Sequence, residues 1–261
     1  MLILLPPSEG KTSPRRGRPL DLAGLGFPSL GPHRAEVLAA LVDLCSTAEP
    51  DVAAGVLGLG STQAGAVALD ARLAEAPTAR ADRVYSGVLY EALDLASLAG
   101  PARRRASTWL AISSGLFGLL RPDDRIPAYR LSGDVSLPGV GTVSTYWSRR
   151  LDGTVREAAG RGLVVDLRSS TYAAFWRPAP DLAGRVVTVR VLHEVDGVRK
   201  VVSHFNKATK GRLVRGLLEH GGATPASPAR FADRLRDLGW KVDQGATGPQ
   251  GTGLDVVVTD L

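Results

Sequence analysis

The stretch LILLPPSEGKT, Leu2–Thr12, decides how the rest of the chain is interpreted. Its first four residues are uniformly apolar, and two prolines, which remove backbone donors, then interrupt the run. This pattern predicts a short buried strand over 2–5 followed by a loop. Loops that follow strands often hold ligands in mixed α/β folds, so Lys11 is a candidate contact for phosphate or carboxylate. The alternative is that Lys11 is a solvated loop lysine.

The end of this loop, Gly10-Lys11-Thr12, is similar to the end of a P-loop. The first glycine of that motif is missing, and Pro6 and Pro7 remove amide donors that a phosphate cradle needs. An NTPase of that class is therefore excluded.

Strand and helix patterns alternate along the remaining sequence. Apolar runs predict buried strands at 109–112, 163–167 and 254–258, and helical spacing predicts helices that include 34–44, 52–57, 62–73, 144–159 and 207–219. Asp196-Gly197 joins two β-branched runs between 185 and 205 and predicts a hairpin. Residues 243–253 are predicted to be a loop. Together these patterns predict one mixed α/β domain over residues 1–261, with a central mixed sheet, surrounding helices and a helix-hairpin-helix-like element.

Composition excludes several classes of protein. The chain has 261 residues, 44% of them apolar and 22% charged, which is ordinary for a globular protein and excludes a disordered chain. A single cysteine, Cys45, cannot form an internal disulfide or a cysteine zinc cage. No apolar segment reaches the roughly 20 residues of a membrane helix, so a cytoplasmic protein without a membrane partner is expected.

The charge balance favours an anionic partner. The formal net charge is +6, and most of the 32 basic residues are arginines. Arginine's planar fork suits phosphate, although codon bias in a GC-rich genome also raises arginine content.

A first phosphate candidate is the segment Gly58–Ala64, between the helices predicted at 52–57 and 62–73. Glycines let a backbone approach phosphate closely, and unpaired amides at a helix start favour negative charge. Gly58, Gly60, Ser61 and Thr62 could thus contact DNA phosphates without reading sequence. The alternative is an ordinary turn in which Gly58 ends one helix and Ser61 caps the next.

A second candidate is the irregular segment 113–130, which carries arginines after a predicted strand. Arg121 and Arg130 are proposed as anion contacts of a cleft. The alternative is that Arg121 pairs with Asp123 or Asp124 and ties the loop.

Two further candidates follow predicted strands. Ser169 and Tyr172 lie just after the strand at 163–167, where hydroxyl groups could hold phosphate or cap a helix. Lys207, Lys210 and Arg212 open a predicted helix, where cations oppose the helix dipole and a bound anion would offset that cost. The alternative for this last group is an exposed helix start.

No metal site or cofactor is expected. The four histidines show no spacing typical of metal ligands, such as His-Glu-x-x-His, so packing or surface positions are favoured for each.

Several blocks together resemble the YaaA family of bacterial peroxide-stress proteins. The matching blocks are LILLPPSEGKT at 2–12, VYSGVLYEAL at 84–93, SGLFGLLRPDDRIPAYRL at 114–131, TYW at 145–147, VVDLRSSTY at 164–172 and SHFNKATKGRLVR at 203–215. The resemblance implies a cytoplasmic protein of a single α/β fold with a basic cleft. It also implies a link to limiting free iron and oxidative DNA damage, and binding of duplex DNA through a hairpin at 58–64.

Carried over by position, the resemblance implies a set of cleft residues. They are Lys11, Arg121, Tyr129, Arg130, Ser169, Tyr172, Lys207, Lys210 and Arg212. This chain departs from the family pattern in the first loop. The better-known branch of the family has Ser-Pro-Ala-Lys-Thr where this chain has Ser8-Glu9-Gly10-Lys11-Thr12. Glu9 adds a negative charge there, which could mark a different ligand.

The sequence and the resemblance together support two functional hypotheses. The first is a DNA-binding protein of the peroxide stress response that protects DNA and limits free-iron damage. The alternative is an enzyme that acts on a phosphorylated or nucleobase-containing small molecule, in a biosynthetic pathway. Its candidate catalytic residues are Lys11, Tyr129, Ser169, Tyr172 and Lys207. Direct iron binding is disfavoured because ligand-spaced histidines and carboxylates are missing.

Overall fold

A central mixed sheet organises the protein. The structure, a computed structural model, describes residues 1–60, 63, 65–200 and 203–259. Within them eight strands form the sheet, namely β1 (Leu2–Leu5), β3 (Leu110–Ser114), β4 (Gly118–Leu120), β8 (Val164–Asp166), β9 (Val186–Val195), β10 (Val198–Lys200), β11 (Lys241–Gly248) and β12 (Gly251–Val258). Their order across the sheet is β11-β12-β9-β8-β1-β3-β4, with β10 paired to β9. Two small ribbons pair β2 (Ala79–Arg80) with β5 (Arg125–Ile126) and β6 (Ser136–Leu137) with β7 (Gly141–Thr142).

Helices surround this sheet. Their bounds are α1 (Gly31–Thr47), α2 (Pro50–Leu57), α3 (Gly65–Asp70), α4 (Ala81–Val84), α5 (Val88–Leu93), α6 (Gly100–Trp109), α7 (Val143–Ser148), α8 (Leu151–Ala159), α9 (Ser170–Ala173), α10 (Pro180–Ala183), α11 (Ser203–His220) and α12 (Pro228–Asp237), with 3₁₀ turns at Pro28–Leu30 and Leu95–Ser97. None of the helices in the described ranges is both long and apolar enough to cross a membrane.

The strand predicted at the start of the sequence is the centre of the sheet. All four residues of β1 are completely buried, because β1 pairs in parallel with β3 on one side and with β8 on the other. β9 and β12 extend the parallel arrangement beyond β8. A parallel strand covered on both faces is expected to be a continuous apolar run. The predicted mixed α/β class with a central mixed sheet is therefore confirmed.

The buried side chain of Arg34 connects α1 to the chain that follows β3. Its Nε atom donates to the carbonyl of Phe117 at 3.0 Å, and one terminal nitrogen donates to the carbonyls of Gly26 and Leu119, each at 2.7 Å. The bonds to Phe117 and Leu119 satisfy buried backbone acceptors that water cannot reach. Arg34 thereby holds the connection between β3 and β4 in place.

Three predictions of local structure need adjustment. Residues 243–253 form most of the β11–β12 hairpin and not a loop, because pairing along β12 supplies backbone partners that local propensity does not reveal. The helix predicted over 144–159 is divided into α7 and α8 at Arg149–Arg150. The predicted hairpin at Asp196-Gly197 is confirmed, with both residues at positive φ, but α11 has already begun by Ser203.

Candidate functional site

The loops after β1 and β3 leave the sheet at the same edge. Because β1 is parallel to β3 and β8, the carboxyl ends at Leu5, Ser114 and Asp166 all point the same way. Ligands of open α/β sheets bind outside the carboxyl ends of the strands. The loop after β1 is held by backbone pairing, since the Thr12 amide donates to the Val84 carbonyl at 2.8 Å.

A cavity of about 220 Å³ lies at this edge. Lys11 comes from the loop after β1, Tyr129 and Arg130 from the segment after β5, and Asp70 from the end of α3. Gln63, at the end of the predicted hairpin, also lines it. Three segments that are distant in sequence, around Lys11, over 63–70 and over 128–130, thus contribute to one site.

Lys11 is half-buried and lies beside aromatic rings. Its Nζ atom donates to the Ser8 carbonyl at 2.8 Å and lies 4.5 Å from the centre of the Tyr129 ring. Burial lowers the pKa of Lys11 to about 8, with a smaller contribution in the same direction from the charge of Arg130. The Glu9 and Asp70 carboxylates act in the opposite direction. A lysine in such surroundings releases its proton more readily than a solvated one.

Asp70 is a completely buried carboxyl that the sequence analysis missed. Its two oxygens accept from the backbone amide of Arg130 at 3.1 and 3.2 Å. Burial raises the pKa of Asp70 to about 7, although this amide bond and the charges of Lys11 and Arg130 favour the ionised form. The available signal was an acidic residue within a short apolar helical run, Gly65–Asp70.

The Asp70 carboxyl predicts a pH dependence of stability. A carboxyl with a higher pKa in the folded chain binds its proton more tightly there, so stability falls as the pH rises through the folded pKa. Relative to Asp70→Asn, the wild-type protein is expected to lose on the order of 2 kcal/mol of unfolding free energy between about pH 5 and about pH 8. Urea unfolding at both pH values measures this.

Asp43→Asn, a change at an exposed position of α1, is the control for the Asp70 experiment. Its stability relative to wild type should be nearly the same at both pH values. A constant difference between wild type and Asp70→Asn would contradict the raised pKa of this carboxyl.

Tyr129 belongs to a buried hydrogen-bonded chain. Its hydroxyl oxygen lies 2.9 Å from that of Tyr85 and 2.7 Å from the Oγ atom of Ser114, which accepts from the Phe117 amide at 2.9 Å. Burial raises the pKa of Tyr129 well above its ordinary value. The phenol is therefore neutral at physiological pH, and this chain holds its ring beneath Lys11. Sequence analysis did not single out Tyr85, and it included Ser114 only within the candidate segment 113–130; both residues lie in blocks that carried the family resemblance.

The two arginines proposed as cleft ends lie at opposite edges of the sheet. Arg130 lines the cavity, and its guanidinium donates to the Glu9 carbonyl at 2.5 Å. The guanidinium of Arg121 donates to the carbonyls of Thr108 and Leu110, at 2.8 and 2.9 Å, and lies over the Phe27 ring. Because Leu110 begins β3, the guanidinium of Arg121 is at the amino end of that strand and not beside Lys11.

The candidates after β8 occupy different positions. Ser169 is exposed before α9, whereas Tyr172 is buried against Phe175 with ring centres 5.0 Å apart. Burial raises the pKa of Tyr172. Neither residue lines the cavity at Lys11.

The cations of α11 also lie outside that cavity. The Nζ atom of Lys210 donates to the Leu167 carbonyl at 3.0 Å, next to the carboxyl end of β8, and burial lowers its pKa while Asp166 opposes this. Lys207 and Arg212 are exposed.

The predicted hairpin is described only in part. Gly58 ends α2 in the left-handed conformation (φ 64°), and its amide donates to the carbonyls of Ala54 and Gly55. Gly60 is exposed, and its carbonyl accepts from the Gln63 amide at 2.8 Å. Ser61, Thr62 and Ala64 lie outside the described residues, so the predicted cap and phosphate contacts there stay predictions. Within the described ranges, no three His, Cys, Asp or Glu side chains converge as metal ligands would.

Comparison with known proteins identifies the family of the chain. The family model described as "Peroxide stress protein YaaA" matches residues 1–244. A UPF0246 protein of Streptomyces coelicolor is 49% identical over an alignment of 263 residues that spans all of both chains. A UPF0246 protein of Corynebacterium efficiens is 42% identical over 241 residues, which is 91% of each chain. The chain that forms this site around Lys11 therefore belongs to the YaaA family of peroxide stress proteins.

Proposed function

We propose that this YaaA family member acts in the peroxide stress response by binding duplex DNA across the carboxyl edge of its sheet. One observation carries the proposal. The cavity that holds the cations Lys11 and Arg130 is lined by Gln63 and by residues of α3, which directly follow the predicted hairpin. A duplex that contacts the hairpin would therefore also reach these two cations.

Further exposed cations lie close in sequence to residues that line the cavity. Ser13 lines the cavity, and the exposed side chains of Arg15 and Arg16 follow it along the chain. Arg72 is exposed two residues after Asp70. Cations grouped beside a cleft attract polyanions and supply affinity that does not depend on base sequence.

Fluorescence anisotropy with a labelled duplex tests the proposal. The wild-type protein is expected to bind at low salt and to lose affinity steeply as salt is added, because counterions are released from DNA. Arg72→Ala should reduce the slope of log K against log salt by about one. Arg161→Ala, an exposed arginine just before β8 at the opposite edge of the sheet, is the matched control and should keep the wild-type slope. Absence of duplex binding at micromolar protein would remove the proposal.

A second prediction concerns the start of α11. If the duplex extends from the cavity to this helix, Lys207→Ala should also reduce the salt slope by about one, because its exposed ammonium would contact one phosphate. The same titration measures it. An unchanged slope would restrict the interface to the cavity and the hairpin.

The size of the cavity favours a second candidate function. A volume of about 220 Å³ suits one small group and not a duplex. The half-buried Lys11 and the buried Asp70 lie together there, and groups with shifted pKa values in a cleft are typical of acid–base or nucleophilic catalysis. The alternative is therefore an enzyme that acts on a phosphorylated small molecule at this cavity.

A further inference from the structure

We propose that Lys11 is an amine nucleophile that forms a Schiff base with the aldehyde of a phosphorylated deoxypentose, either free or at an abasic site in DNA. The inference rests on the proposed binding of a phosphate-bearing ligand at this cavity and adds a reaction to it. Its starting point is the placement of one lysine, one buried carboxyl and one arginine around a small cavity.

The surroundings of Lys11 favour a reactive amine over a structural cation. Within the described residues its Nζ atom forms no ion pair, and it donates a hydrogen bond to the Ser8 carbonyl. The flanking surface is aromatic, from Tyr129 and from Tyr85, whose ring centre is 5.6 Å away. Burial without a paired carboxylate favours the neutral amine, in line with the pKa of about 8. The neutral amine is the form that attacks a carbonyl carbon.

Asp70 and Arg130 supply the other functions that the reaction needs. The Asp70 carboxyl, with a pKa near neutrality, can give and take a proton within the same cavity. The Arg130 backbone amide holds that carboxyl, while the Arg130 side chain lines the cavity where a phosphate would enter. Arginine is well suited to bind phosphate through two donors.

The proposed reaction balances without an oxidant or reductant. The Lys11 lone pair forms a bond to the aldehyde carbon, and the proton lost from nitrogen moves to the oxygen, which gives a carbinolamine. Asp70 then protonates the hydroxyl group and the carbon–oxygen bond breaks. Water departs, and the nitrogen lone pair forms the carbon–nitrogen double bond of an iminium. At an abasic site, the Asp70 carboxylate next removes a proton from C2′, a C2′–C3′ double bond forms, and the 3′ phosphate leaves. Water hydrolyses the imine and returns the Lys11 amine.

Borohydride trapping tests the first covalent step. Wild-type protein is mixed with a labelled duplex that contains one abasic site, or with 2-deoxyribose 5-phosphate, and sodium borohydride reduces any imine to a stable amine. We expect a covalent adduct that peptide mass spectrometry places on Lys11. Trapping by the duplex alone would identify DNA as the source of the aldehyde, and trapping by the sugar phosphate alone would identify a small molecule. A duplex with a tetrahydrofuran abasic analogue has no aldehyde and should give no adduct.

Two substitutions separate chemistry from folding. Lys11→Ala should reduce the adduct by about tenfold or more. Lys11→Arg keeps a cation at this position but lacks a nucleophilic amine, so it should reduce the adduct equally even if the alanine variant folds poorly. Lys200→Ala changes an exposed lysine of β10 and should give as much adduct as wild type.

The outcomes distinguish this inference from the proposed function. Anisotropy with an intact duplex is measured on the same preparations. Duplex binding without trapping of either aldehyde would overturn the Schiff-base inference and leave DNA binding in place. Trapping of the sugar phosphate without duplex binding would support the inference and remove the DNA proposal. An adduct undiminished in both Lys11 variants would also overturn the inference.

Discussion

Replacement of Arg34 by leucine is expected to lower the free energy of unfolding by about 4 kcal/mol. The guanidinium is completely buried and donates to the carbonyls of Phe117, Gly26 and Leu119. Leucine fills part of the volume but leaves these acceptors without donors, and water does not reach the buried carbonyls of Phe117 and Leu119. Urea unfolding followed by circular dichroism measures the loss.

The matched control for Arg34 is Arg104→Leu, an exposed arginine of α6. This change should alter stability by no more than about 0.5 kcal/mol. A loss of less than about 1 kcal/mol in Arg34→Leu would contradict the structural role assigned to these bonds.

The same arginine is relevant to the site. It holds the carbonyl of Phe117, and the amide of Phe117 donates to Ser114, whose Oγ atom contacts the Tyr129 hydroxyl. Tyr129 in turn lies beneath Lys11. We therefore expect stability and ligand binding to decline together in Arg34→Leu.

Gly211→Ala is expected to lower the free energy of unfolding by about 2–3 kcal/mol. At this position α11 crosses α5 so closely that an added Cβ atom would lie 2.4 Å from the Leu89 carbonyl oxygen and 2.9 Å from the Cβ atom of Ala92. The Leu89 oxygen is backbone, so it cannot move aside as a flexible side chain can. The two helices must separate, and thermal or urea unfolding measures the cost.

A second glycine of α11 supplies the control. An added Cβ at Gly216 would meet its nearest neighbour, the Cδ1 atom of Leu238, at 3.8 Å, which is ordinary van der Waals contact. Because alanine is the better helix former, Gly216→Ala should stabilise the protein by about 0.5–1 kcal/mol. Changes of the same sign and size in both variants would contradict the close helix contact at Gly211.

Part of the fold could be predicted because the residues of a short segment by themselves determine the local structure that the segment forms. The apolar run Leu2–Leu5 has no polar face, so it is stable only as a strand covered on both sides. Asp196-Gly197 allows positive φ at both positions, so it turns a hairpin wherever its flanking strands pair. Lys11 was identified as a candidate because it follows such a strand within a constrained loop.

Only the tertiary structure decided which candidates belong together. Arg121 and Arg130 are nine positions apart and equally suited to bind an anion, yet one lies at the amino end of β3 and the other beside Lys11. Asp70 acquires its raised pKa from burial among segments distant in sequence. Local spacing sets helix, strand and turn, but it does not state which strands are neighbours. Strand order and parallel register bring separate loops to one edge, and only that arrangement determines each group's solvation and charged neighbours.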